Sequence, residues 1–143
     1  MLVKHVLGEK GREVIAIVSD ATMSEAARLL ARKRIGAIVV RDSFGALAGI
    51  LSERDVVRAV AEESVAALAR PVSAYMTRAV ATCSEHDSIQ DLMEMMTVGR
   101  FRHVPVVVDD QITGIISIGD VVKTRIAETV QEAASLREYI TAA

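Results

Sequence analysis

The chain has 143 residues, 51% of them apolar and 25% charged, with a net charge of −2 and a mean hydropathy of +0.32. That composition supports one hydrophobic core without disulfides or metal, and the single cysteine, Cys83, has no internal partner. The mixed charge and near absence of aromatics count against a nucleic-acid binder, only the stretch around Arg100 and Arg102 being locally basic, and apolar runs such as 37–40 and 104–108 are far shorter than the roughly 20 residues of a membrane span.

In chain order, residues 1–13 carry charge throughout and lack the long apolar stretch of a signal peptide, so the cytoplasm is the expected compartment. Residues 14–18 read as a short strand. Thr22 stands before Met23, Ala26, Ala27 and Leu30, whose spacing predicts an amphipathic helix, with Thr22 and Glu25 in capping-box positions. Then come two β-branched runs, 36–40 and 47–51, separated by the turn residues Asp42, Ser43 and Gly45. A helix over 55–61 follows, and Arg70-Pro71-Val72-Ser73 reads as a linker.

The series then returns. Residues 79–83 predict a second leading strand. Ser88 precedes Ile89, Leu92, Met93 and Met96, the first helix pattern shifted by 66 positions. Strands at 103–108 and 112–117 flank Asp109-Asp110, a turn one residue shorter than the first, and a long helix runs from 119 to about 138. Each half therefore reads strand, helix, strand, strand, helix. Neither half, at roughly 60 residues, buries enough surface to be comfortable alone, so two copies must share a core.

The residues that repeat are similar to those of the CBS-domain family, named for cystathionine β-synthase. The family's Gly-apolar-apolar-Ser/Thr-x-x-Asp segment occurs twice, as Gly49-Ile50-Leu51-Ser52-Glu53-Arg54-Asp55 and as Gly114-Ile115-Ile116-Ser117-Ile118-Gly119-Asp120. Ile35-Gly36-Ala37, Tyr75-Met76-Thr77 and Arg100-Phe101-Arg102-His103-Val104-Pro105 are also characteristic, and the resemblance covers roughly residues 14–126. It is closest to the stand-alone bacterial type. It implies an α/β (α+β) fold of two repeats packed about a pseudo-twofold axis. Residues 1–70 would hold the first repeat with an N-terminal extension and the start of the linker. Residues 71–143 would hold the second repeat with its C-terminal helix, and the two together form one Bateman module. In this family the clefts between repeats take AMP, ADP, ATP, S-adenosylmethionine and sometimes NAD, and modules pair into disc-shaped dimers.

A carboxylate accepts two hydrogen bonds side by side, which matches the vicinal hydroxyls of ribose, and the resemblance puts Asp55 and Asp120 in that role. Ser52 and Ser117, three residues earlier, would offer hydroxyls and free helix-terminal N–H groups to phosphate; Thr22 and Ser88 are further hydroxyls at helix starts. The same residue types also cap helices, and the two roles are compatible. Arg54 at the first helix start has Gly119 as its counterpart, and Arg102-His103 occupies a position from which the family reaches phosphate, so the two clefts are expected to be unequal. Arg100 and Arg102 also read as solvated turn residues, and His103 as a structural histidine heading a strand. The family places adenine near the leading strands, which brings in Ile17, Thr82 and Cys83, with Gly36, Ala37 and Pro105 beside the cleft.

Met93 and Met96 fit the buried helix stripe, and Cys83 fits a small core position. The histidines at 5, 86 and 103 lack metal-ligand spacing, and the glycines form neither dinucleotide fingerprint nor phosphate loop. No acid–base pair or activated nucleophile emerges, so no catalytic residue and no metal are assigned. The expectation is a regulatory module that senses an adenine nucleotide, with a ligand-free protein-interaction domain as the alternative. Val122, Ile126, Val130, Ala133 and Ile140 form a helical stripe that would either pair two copies in a homodimer or pack on the chain's own residues 1–13. The regulated protein is not legible.

Overall fold

Hydroxyl-capped helices begin where the sequence places them. The computed structural model describes residues 1–142; Ala143, the last residue of the second expected unit, lies outside the described residues. Thr22 Oγ1 accepts the Glu25 N–H at 3.1 Å and the Glu25 carboxylate accepts the Thr22 N–H, which starts α2 (Met23–Lys33). Ser88 Oγ accepts the Asp91 N–H at 3.0 Å and starts α4 (Ile89–Gly99). Each such cap contributes about 1 kcal/mol. Both helices stop at an arginine in the left-handed region, Arg34 (φ 54°) and Arg100 (φ 57°). Their apolar stripes, Met23, Ala26 and Leu30 in α2 and Ile89, Leu92 and Met96 in α4, are buried in two separate cores, one per repeat, where a single shared core was expected; each core is completed by a segment from outside its own repeat.

Each helix leads into a hairpin. In the first repeat β2 (Ala37–Arg41) pairs antiparallel with β3 (Leu47–Ser52), and β1 (Ala16–Val18) lies parallel beside β2. The turn is held by Asp42 Oδ1, which accepts the N–H groups of Phe44 and Ala46. In the second repeat β4 (His103–Val108) pairs with β5 (Gln111–Ser117) through a two-residue turn. Asp109 and Asp110 both take positive φ there (49° and 62°), as the favoured right-twisted hairpin turn requires.

The leading strand of the second repeat contracts to a single bridge, Cys83 to Val106, where residues 79–83 predict a full strand. The cause is Pro105. In the first repeat the Val39 N–H donates to the Ile15 carbonyl at 3.1 Å, extending the parallel ladder. Val39 shifted by 66 is Pro105, which has no N–H to give, so the equivalent bond to residue 81 cannot form. Residues 79–81 turn towards a cleft instead.

The two repeats exchange the segments that precede them. Residues 1–10 form α1 (Val3–Lys10), a helix, and Val3, Val6 and Leu7 bury themselves in the core of the second repeat. The segment after the first repeat returns the arrangement: Val72 and Met76 are buried in the first core. The hydrogen bonds match pairwise. The Ile89 N–H donates to the Met1 carbonyl as the Met23 N–H does to the Arg70 carbonyl; Val3 N–H reaches the Asp87 carbonyl as Val72 N–H reaches that of Ala21. Leu7 lies over Gly114, and Met76 with Thr77 over Gly49. Such reciprocal docking is what a twofold relation between repeats produces.

Two short 3₁₀ segments (Ser64–Ala69 and Val72–Ala74) join α3 (Glu53–Glu63) to the second repeat, and α5 (Ile118–Ala142) closes the chain. Among the described residues no helix is long and apolar enough to cross a membrane.

Candidate functional site

Asp55 sits in the first turn of α3, immediately after β3. Its Oδ2 accepts the Ser52 N–H at 2.8 Å and the Ser52 hydroxyl at 3.0 Å, while Ser52 Oγ accepts the Asp55 N–H in return. Both residues therefore cap α3. The bonds converge on one carboxylate oxygen; the nearest cation to the other, Oδ1, is Arg58 at 3.9 Å.

Asp55 lines a cleft of about 520 Å³, within the size range of small-ligand sites. The first repeat contributes Gly36, Ala37, Ile50, Ser52, Arg54 and Arg58 to its wall. The segment leading into the second repeat contributes Thr77 and residues 79–81, and the second repeat itself Arg100, Phe101, Arg102 and His103. Four guanidinium groups and two carboxylates, the half-buried Asp55 and the exposed Glu53, thus share a cavity between the repeats, with Ile50, Val80 and Phe101 as apolar wall. Guanidinium groups match phosphate through paired N–H donors, and the apolar wall suits a flat base. The lining thus offers guanidinium groups, an apolar wall and a carboxylate oxygen side by side.

His103 heads β4 and stands over Gly36; a Cβ on Gly36 would lie 3.3 Å from its Cε1. Burial lowers its pKa, reinforced by Lys10 and Arg102 and opposed by Asp120 and Glu53. His103 therefore sits neutral between two carboxylates and two cations.

Asp120 repeats the Asp55 geometry at the start of α5: Oδ2 accepts the Ser117 N–H at 2.9 Å and the Ser117 hydroxyl at 3.0 Å. It differs in one respect. Lys10 Nζ, at the C-terminal end of α1, donates to Asp120 Oδ2 at 2.6 Å and to the Ile115 carbonyl at 2.8 Å. Burial alone would raise the Asp120 pKa, but the Lys10 ammonium and the Ser117 donors together bring it below the ordinary carboxylate value.

The cleft gathers Gly36, Ala37, Ser52, Arg54, Asp55, Arg102 and His103 from the residues singled out in the sequence. Thr22 and Ser88 lie outside it and cap α2 and α4. Ile17 packs against the first core, Cys83 and Pro105 are buried beside one another on the Cys83 bridge, and Thr82 is exposed outside the lining. Burial pushes the Cys83 thiol up to about 12, with Asp87 adding to the rise, so it remains a thiol. Ser117 and Asp120 lie with Lys10 rather than in this cleft. Sequence reasoning missed Lys10, Arg58 and residues 79–81. Arg58 stands one turn after Asp55, a spacing that was available; Lys10 is distant in sequence and had no such signal. Among the described residues no group of three or more metal-ligating side chains comes together.

The sequence pattern of the CBS domain matches residues 4–62 and 72–127. A CBS-domain-containing protein from Agrobacterium tumefaciens is 48% identical, with a TM-score of 0.85 over 87% of this chain and 92% of that one. The CBS-domain pair of protein MJ0100, solved in complex with 5′-methylthioadenosine and S-adenosyl-L-methionine, is 26% identical with a TM-score of 0.80, covering 90% and 98%. A CBS-domain protein from Pyrobaculum aerophilum complexed with AMP is 28% identical with a TM-score of 0.76, covering 84% and 89%. The chain spans 66% of the length of one curated relative and only 19% of others that it matches.

Proposed function

Since the chain belongs to the CBS-domain family and carries both repeats, we propose that it is a regulatory module that binds an adenine nucleotide at Asp55 and relays its occupancy to a partner or to its own dimer. The observation that carries this reading is the Asp55 carboxylate. One oxygen is spent on Ser52, the other is left for a diol, and four arginines stand in the same cleft. A ribose would take the carboxylate, the phosphates the guanidinium groups, and the base the apolar wall. The AMP and S-adenosylmethionine complexes of similar CBS pairs support the ligand class; AMP, ADP, ATP and NAD all present the same ribose and adenine. We assign the module no catalysis, and we place it in the cytoplasm on the strength of its one buried, unpaired cysteine.

Calorimetry of the nucleotide-free protein with AMP, ADP, ATP, NAD, NADH and S-adenosylmethionine tests this. At least one should bind, and Asp55→Ala should weaken it by about tenfold or more, the worth of a lost charge-assisted hydrogen-bond pair. Failure of all six at millimolar concentration would sink the nucleotide reading and leave the protein-interaction module, for which the exposed apolar residues of α5 are the supporting feature.

A further inference from the structure

We propose that Asp120 marks a second nucleotide site, equivalent to Asp55 in the other repeat, and that Lys10 makes it selective for phosphorylated nucleotides over uncharged nucleosides; this rests on the nucleotide reading above and extends it to the other repeat. Asp55 and Asp120 hold their serines in the same way, yet their surroundings differ. The Ile50 carbonyl beside Asp55 accepts the Thr77 backbone N–H at 2.9 Å, whereas its counterpart, the Ile115 carbonyl, accepts the Lys10 ammonium. The same ammonium rests on Asp120 Oδ2, whereas the cation beside Asp55 is Arg58, 3.9 Å from the other carboxylate oxygen. The difference follows from secondary structure. The segment preceding the second repeat is a short 3₁₀ turn that runs into an extended bridge at Thr77, and α1 continues as helix to Lys10.

A ribose diol approaching Asp120 meets an ammonium already in place. Binding there is an exchange: the carboxylate gives up a charged donor for two neutral hydroxyls, and a lysine must find another anion. A nucleoside brings none and bears the full cost of that exchange. A nucleotide brings its 5′-phosphate one sugar ring away, within the sweep of the four-carbon lysine stem, and the pair lost on Asp120 is replaced by a pair on phosphate. The counterpart of Arg102 on this side is Gly36 and that of Arg54 is Gly119, so two of the four arginines of the Asp55 cleft have no basic equivalent here, and Lys10 adds a cation directly on the carboxylate. His103, the other basic group near Asp120, is held neutral and does not substitute for it.

The test is calorimetry with AMP and with adenosine in an Asp55→Ala background, which leaves only the Asp120 site to read. AMP should bind more tightly than adenosine by about tenfold or more, Lys10→Met should bring the two within about twofold, and Lys10→Arg should restore the preference. The second binding step of the protein with Asp55 intact gives the same ratio and guards against misfolding of the variant. An AMP-to-adenosine ratio unchanged by Lys10→Met overturns the proposal. So does an Asp55→Ala protein that takes up neither ligand while Asp120→Ala still binds AMP, because Lys10 then acts as a plug; in that outcome the nucleotide reading stands. Failure of AMP and of the other five ligands to bind the unsubstituted protein defeats both.

Discussion

A carboxylate that accepts a backbone N–H and a hydroxyl through one oxygen anchors a helix and keeps a second oxygen for other work. Asp55 and Asp120 both do this, but Asp120 also carries the Lys10 ammonium, and its pKa lies below the ordinary value. A depressed folded-state pKa means that the unfolded chain binds the proton more readily. The stability gained is therefore present above the unfolded value, near 3.8, and disappears as pH falls through the folded value. Lys10→Met should melt at lower temperature than the parent at pH 7, and that gap should narrow below about pH 4; thermal melts across this range check it. His103 gives a second pH dependence with a different window. Its folded pKa is below 6.5, so the unfolded state takes up the proton first as pH drops. Stability should decline below pH 6.5 and level off once the folded histidine is protonated, and His103→Ala should flatten that decline.

Elements explain which of these residues meet. α1 carries Val3, Val6 and Leu7 at helical spacing, all buried against the second repeat. Leu7→Ala should cost about 2–4 kcal/mol in chemical denaturation, as for other leucines removed from a close-packed site. The two equivalent glycines should behave unequally. A Cβ at Gly114 would lie 2.6 Å from the flexible end of Leu7, whereas one at Gly49 would lie 2.6 Å from the Thr77 backbone carbonyl and 2.8 Å from Met76 Sδ. Gly49→Ala should therefore destabilise more than Gly114→Ala, since backbone paired to Ile50 cannot step aside. The helices, hairpins and caps were legible because apolar spacing and hydroxyl placement are local signals. The shortened second leading strand was not inferred, although Pro105 stood in the sequence as its cause. α1 reads as an extension in the sequence because its three apolar positions sit among charges and acquire meaning only against Gly114. At the site, the duplicated motif points to Ser52 and Asp55, and the family resemblance to Arg102 and His103. No local pattern could couple Lys10 to Asp120, which the fold joins across most of the chain.

At the scale of the whole molecule, α5 extends with Val122, Ile126, Val130, Leu136 and Ile140 exposed. Residues 1–10 pack on the second core and do not cover these positions. Two copies laid along this stripe would bury them, which favours a homodimer. Sedimentation should report about twice the chain mass, and Ile126→Glu with Val130→Glu should return it to one, since a buried unpaired charge is costly. Retention of the dimer in that variant would direct attention to another face.

The crossing of the leading segments also bears on how the chain is born. Synthesis proceeds from the N-terminus, and segments fold as their partners emerge. The first repeat can close once residues 70–77 have left the ribosome, but α1, made earlier, has its seat on Gly114 and Ile115. It must wait, unsheltered, until β5 appears. A nascent chain arrested before residue 110 should thus present Leu7 to protease while the first repeat already resists it, and release of the remaining length should hide that leucine.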